Sequence, residues 1–363
     1  MTYLLSIIII LLFYQKYKSS LGLYDVSKRR ERIRFCVIVS SILTLLLIVR
    51  NDYFGTDTQN YHHLFDTINI YYDAATDRIE LSSEWGFYSL MYYLQNSGFS
   101  FRFLIAISAI SYMVGVTYLI YKYSENVLFS YFIFFTYNFW VFNTTMRQCF
   151  ALTFIIGAVV CAIHKRLVPY MCFLILAMMF HATAIVCIPI YWVVNMKFSR
   201  RNVLLFIMSM IVISVFGSSI FSSMQEILGK EYNVTQASGY VRTIIMVILL
   251  IIALLNRRRL SEANGYFAKL LLMALCLQPI AQFNPALFRV NYYFYFFVII
   301  LAPNLIRMAK SYKYLLVTFY ILYGLYNFTL GSYQAGVRVY PYVYMWENYF
   351  EENPNVKASD FDY

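Results

Sequence analysis

Long apolar runs recur from one end of this chain to the other, and nothing else in the sequence restricts its fold so strongly. A backbone that enters lipid must pair all its polar groups internally, so only helices or closed barrels can cross a bilayer. The runs here are continuous rather than alternating, which excludes a barrel and predicts an all-α, polytopic helical bundle. Of the 363 residues, 61% are hydrophobic and 13% charged. A soluble domain would be about half apolar and about a quarter charged, so a soluble domain with a single anchor does not fit.

Twelve spans are expected, over 2–14, 33–49, 103–121, 127–142, 149–163, 167–180, 182–194, 203–221, 240–255, 267–283, 290–306 and 314–330. The first lacks a basic start and a small-residue cleavage site, so it reads as a retained span rather than a signal peptide. The run 85–94 is too short to cross and reads as an interfacial or re-entrant segment ended by Gly98. The whole of 1–363 reads as one integral membrane domain, with extracytoplasmic polar segments at 50–102 and 331–363. The six cysteines lie in apolar runs and form no C-x-x-C pair, so they carry neither a disulfide nor a zinc signal.

Orientation follows from Lys and Arg, which favour the cytoplasmic side. With the 15–32 segment inside, 20 of the 29 Lys and Arg fall inside and only 4 of the 18 acids do, so the net charge is +16 inside and −5 outside. The basic balance of the chain is thereby a matter of topology, and no nucleic-acid partner is needed to account for it.

In this frame the interval 50–84 lies outside. It carries Asp52, Asp57, Asp66, Asp73, Asp77, Glu80 and Glu84 against Arg50 and Arg78, and is the natural place for chemistry. Arg50, Arg102, Arg147, Arg242 and Arg289 sit at outer mouths of spans, and Arg338 lies just beyond one. Cations placed against the topological preference usually have a partner. A guanidinium fork suits phosphate, with two charge-assisted hydrogen bonds and a proton it does not lose. His181 is the one histidine within an apolar run, near its outer end. His62 and His63 lack the further ligands a metal site needs. No Gly-rich phosphate loop, G-x-S-x-G or H-E-x-x-H is present. Nucleotide, serine-nucleophile and zinc chemistry have no sequence support, no cofactor is expected, and a reaction would draw on an activated substrate.

These residues resemble the EpsG family of Wzy-like exopolysaccharide and O-antigen polymerases. The likeness rests on Arg50 followed by Gly55-Thr56-Asp57-Thr58 and Tyr61, on Met146-Arg147-Gln148 before Ala151, and on Phe180-His181 before Ala184 and Pro189. Arg289 before Tyr292-Tyr293-Phe294, and Tyr340-Pro341-Tyr342, extend it, so that it covers most of the chain. The resemblance implies a GT-C-like glycosyltransferase in the bacterial inner membrane, with its site facing the periplasm or cell exterior. The implied donor is a glycan on undecaprenyl pyrophosphate and the acceptor another lipid-linked repeat unit; a chain-length regulator is a further partner for such proteins. On this reading Arg50, Arg147, Gln148, Arg289, Arg338 and Tyr61 bind substrate, and Asp57, Glu84 and His181 are the candidate bases. Asp57 is placed ahead of His181, because a polar loop costs less to build a site on than an apolar span. A flippase for the same lipid-linked sugar would carry charge through the middle of its bundle, and a membrane O-acyltransferase using His181 would need ionisable residues leading inward. The polar residues crowd the outer mouths instead.

The charge division predicts that Thr67→Cys is labelled by a membrane-impermeant thiol reagent in intact cells and that Ser261→Cys is protected. The opposite pattern would invert the topology.

Overall fold

A computed structural model describes residues 2–20, 28–51, 55–73, 78–79, 84–228, 240–281, 285–309, 311–333 and 342–347 of the protein. Arg338, Asp52, Asp77, Glu80 and most of the 331–363 tail lie outside these residues. The helices run in order α1 (Thr2–Tyr17), α2 (Arg29–Ile48), α3 (Thr56–Thr67), α4 (Trp85–Asn96), α5 (Phe101–Tyr123), α6 (Val127–Tyr137), α7 (Val141–Thr144), α8 (Met146–Ile163) and α9 (Leu167–Phe180). They continue as α10 (Ile190–Asn195), α11 (Arg200–Leu228), α12 (Tyr240–Leu255), α13 (Glu262–Ala281), α14 (Pro285–Tyr295), α15 (Val298–Met308) and α16 (Lys313–Tyr333). One small hairpin pairs Tyr72–Asp73 with Arg78–Ile79; the other regular elements among the described residues are helical, as the continuous apolar runs predict.

Among the described residues three helices are long and apolar enough to cross a membrane: Phe101–Tyr123, Met146–Ile163 and Glu262–Ala281. Leu287–Tyr295 and Val298–Met308 would form a fourth span bent by 48°. Three shorter apolar helices, Thr2–Tyr17, Leu167–Phe180 and Tyr240–Leu255, lie close to expected spans. Other expected spans are broken where the sequence offers a local reason. The 127–142 run leaves the helix at Asn138. In the 182–194 run a 3-10 turn (Ala182–Cys187) precedes Pro189, and α10 is only six residues long. α4 is a 12-residue helix that ends before Gly98, as expected. At 1.5 Å per residue it is about 18 Å long, short of a bilayer core.

The chain divides into two compact units: 1–156 with 175–182 and 315–363, and 157–174 with 183–314. In the first, α2 packs along α5. Phe35, Val39 and Leu43 recur at helical spacing on α2, while Leu104, Tyr112, Val116 and Leu119 do so on α5, and all are buried. Arg32 lies in the same interface, 3% exposed. Its guanidinium donates to the carbonyls of Ile120, Tyr121 and Ser124 at 2.7 to 3.3 Å, so that a cation closes the carbonyl end of α5 where the helix dipole is negative. The segment 342–347 straps across the end of α2. Arg50 bridges to Tyr344, Asn51 N–H donates to Val343 O and Met345 N–H to Val49 O, both at 2.8 Å.

In the second unit α11, α12, α14 and α15 all pack against α13. Buried amides tie these helices together: Asn291 donates to Gln278 at 2.7 Å and Asn304 to Asn264 at 2.8 Å. Lys269 Nζ donates to the Val194 and Met196 carbonyls at the end of α10. Such pairs supply specificity between apolar helices that attract one another no more than they attract lipid.

α3 starts at Gly55, whose φ of +115° is one L side chains rarely adopt. A Cβ there would also strike the Asn143 carbonyl group. Gly55→Ala should therefore destabilise the protein by on the order of 1–3 kcal/mol, measured as a lower thermal midpoint in detergent. An unchanged midpoint would mean that this turn is not fixed by Gly55.

Candidate functional site

Glu84 ends the polar interval and immediately precedes α4. The residue is 8% exposed, and three groups from other elements meet its carboxylate. Oε2 accepts a charge-assisted hydrogen bond from Arg147 Nη1. Oε1 lies 2.6 Å from His181 Nδ1 and accepts the Ala182 N–H at 3.0 Å. Arg147 extends the cluster, with Nη1 donating to the Tyr88 hydroxyl at 2.7 Å and Nε to the Tyr61 hydroxyl at 2.8 Å. Its guanidinium carbon lies 5.0 Å from the Tyr61 ring centre and 5.7 Å from that of Tyr88. All these residues belong to the first unit.

Local sequence explains the convergence. Tyr88 stands one helical turn after Glu84 and therefore on the same face. Gly86 brings the start of α4 against Met179, where any Cβ would press on the Met179 side chain and backbone. Phe180 is stacked on Phe150 at 4.4 Å and on Phe154 at 5.4 Å. These contacts anchor the end of α9, and His181 follows directly. Arg147 occupies the first turn of α8, and Tyr61 the second turn of α3.

Burial alone would push the Glu84 carboxyl up. The hydrogen bond and charge of His181, the Arg147 guanidinium and the Ala182 N–H together outweigh it, and hold the group below the ordinary carboxylate range.

A second polar cluster adjoins through α3. Arg50 is 4% exposed and donates from Nη2 to Thr58 Oγ1 at 3.3 Å, while Thr58 Oγ1 donates to the Asn143 carbonyl at 3.1 Å. Arg102 Nη1 donates to the carbonyls of Arg50 and Ile48, at 2.6 and 3.2 Å. Thr58 and Tyr61 are three residues apart on α3, so one helix face receives both Arg50 and Arg147.

The structure thus brings together Glu84, His181, Arg147 and Tyr61. Asp57 is half-buried in the first turn of α3, four residues before Tyr61 and on the same face. Gln148 is buried directly after Arg147. Arg289 is half-buried on α14, in the second unit. Sequence reasoning missed Tyr88, Thr58 and the Ala182 N–H. The four-residue interval from Glu84 to Tyr88 was the available signal for the first. Among the described residues no three His, Cys, Asp or Glu side chains lie close enough together to hold a metal ion.

A buried carboxylate joining a histidine to an arginine, set on apolar helices, marks a helical membrane protein with a buried polar cluster. The EpsG family profile matches residues 33–344, and the chain belongs to that family. EpsG-like proteins are Wzy-type polymerases, so a polymerase-type, glycosyltransferase-like activity in polysaccharide biosynthesis follows. No curated protein and no solved structure matches the chain.

Glu84→Gln keeps the shape but leaves the Arg147 charge without its counter-ion, and should cost about 3 kcal/mol at neutral pH. Because the folded carboxyl is held below its unfolded value, its contribution is complete above about pH 4.3 and is lost as pH falls through the lower folded value. Thermal unfolding of wild type and Glu84→Gln across the acid range should show the margin narrowing only below that point. A margin that stays constant on acidification would mean the carboxylate is not held by these partners.

Proposed function

We propose that the protein is a repeat-unit polymerase, transferring a growing glycan from undecaprenyl pyrophosphate onto a second lipid-linked unit. The reading places it in the bacterial inner membrane as a GT-C-like bundle of about twelve spans, with the site facing outward and a chain-length regulator as a further partner. The observation that carries it is the Glu84–His181 pair beside Arg147.

In this mechanism the acceptor sugar hydroxyl attacks the anomeric carbon of the donor glycan. A carbon–oxygen bond forms there as the bond to the lipid pyrophosphate breaks. The hydroxyl proton passes to His181 Nε2, and the resulting imidazolium is stabilised by Glu84, which orients the ring through Nδ1. The leaving pyrophosphate takes the electron pair of the broken bond, and its negative charge is met by the guanidinium of Arg147. Tyr61 and Tyr88 accept from Arg147 and so keep their own O–H groups to donate to phosphate or sugar oxygens. What favours His181 over Asp57 as the base is its carboxylate partner at 2.6 Å.

The test uses purified protein and lipid-linked repeat units, with polymer length read on a gel. His181→Ala should slow polymerisation by about 10²–10⁴-fold, and Arg147→Lys should also fail because a point charge cannot replace a fork held by three partners. Asp57→Asn should remain active. Loss in Asp57→Asn with retention in His181→Ala would reassign the base, and full polymer from Arg147→Lys at normal protein level would remove the arginine from the mechanism.

A further inference from the structure

The second unit carries a group of cations that the chemistry at Glu84 does not use. Two adjoining cavities of about 430 and 290 Å³ share Arg257 as a common wall. Their linings bring together Lys165, Lys197, Arg200, Arg257, Arg258 and Arg259, along with Lys269, whose Nζ is committed to the Val194 and Met196 carbonyls. The one acid in these walls is Glu262, and its carboxylate accepts from the Tyr266 hydroxyl.

Helix ends do not account for so much positive charge. The linings include residues at the C-terminal ends of α8, α10 and α12 and at the N-terminal ends of α11 and α13. At about half a charge each, three negative and two positive ends leave about −0.5, against seven cations and one carboxylate. A topological preference for cations explains their number on one side of a membrane, but not their gathering around a cavity.

Lys165 adds an independent observation. It follows α8 with φ +56°, the one non-glycine residue with positive φ among the described residues. Lys165 N–H donates to Ala162 O at 3.0 Å and Arg166 N–H to Cys161 O at 2.9 Å. This is the helix-ending turn that glycine occupies without strain. A lysine kept there at a conformational cost points to use of its side chain.

We propose that these cavities bind the phosphate headgroup of an anionic membrane lipid. Guanidinium forks match phosphate oxygens, and basic pockets between membrane helices are suited to such headgroups. Apolar residues argue for a lipid over a soluble anion. Leu254, Leu255, Leu260 and Phe198 share the linings, and the exposed face of α12 continues from Leu255 to Ile251, offering surface to acyl chains.

The test is lipid binding to the purified full chain in neutral detergent, followed by thermal midpoint and by native mass spectrometry. Phosphatidylglycerol should raise the midpoint and bind more tightly than phosphatidylcholine, with affinity falling about five-fold for each cation removed in Arg257→Gln and Arg259→Gln. Lys165→Gly relieves the strained turn, so its lipid-free midpoint should hold or rise while its affinity for phosphatidylglycerol falls. Equal binding of the two lipids, or unchanged affinity in all three variants, would overturn the proposal. An equal midpoint rise from inorganic phosphate alone would reject the lipid and leave a soluble anion as the occupant.

Discussion

The first unit depends on a carboxylate that has been taken out of water. A desolvated carboxylate is tolerated only when its lone pairs are met, and breaking one partner of such a group costs more than the group contributes. Glu84 is met by Arg147 from α8, by His181 after α9, and by the Ala182 backbone. Arg147 in turn requires Tyr61 from α3 and Tyr88 from α4. One charge therefore sets the mutual placement of four helices, and apolar packing around it, such as Phe180 on Phe150, removes the slack. The same arrangement that makes the site costly to assemble makes it stiff, and a stiff array of donors is what stabilises developing charge with little reorganisation.

The arginines expected at outer mouths of spans divide by what holds them. Arg102 spends its donors on the carbonyls that end α2, as Arg32 does at the other end of the α2–α5 pair for α5. Both complete helices whose last carbonyls have no partner within the helix. Arg147 meets side chains instead: a carboxylate and two phenols. The Tyr61 and Tyr88 hydroxyls that accept from Arg147 keep O–H groups of their own to donate, whereas a helix-ending carbonyl has none. On the proposed mechanism that contrast separates a guanidinium that meets substrate from one committed to the fold.

Much of this was legible in the sequence, because hydrophobic periodicity and length report where helices lie. The stretches 167–180 and 240–255 were readable to the residue. The breaks were less so. Phe296 and Phe297 interrupt the 290–306 run without a glycine or proline between the two helices, so no local breaker announces the bend there. At the site, His181 and Arg147 were recognisable as polar residues against apolar runs, Glu84 as one acid of the polar interval, and Tyr61 only through the family resemblance. Their pairing was not, since Glu84 and His181 are 97 positions apart and nothing local links them. Asp57 drew attention through its glycine-led turn, whereas Glu84 stood at the edge of the acidic interval with no motif around it. The carboxylate's importance comes from burial, which one-dimensional patterning does not report.

The strap at 342–347 bears on how such a chain is made. Tyr342 donates to Leu46 O across 296 positions, and Asn51 is held by Val343 and Glu347. Helices form in the order they leave the ribosome, but the contacts that fix the end of α2 come from residues made long after that helix. Closing so long a loop is entropically slow relative to local helix formation. Until it closes, the backbone at Val49 and Asn51 lacks the strap partners that hold it. Fixing the end of α2 is thus a later event than forming α2 itself, whereas the polar cluster at Glu84 draws its partners from residues 61–182 and does not wait for the strap.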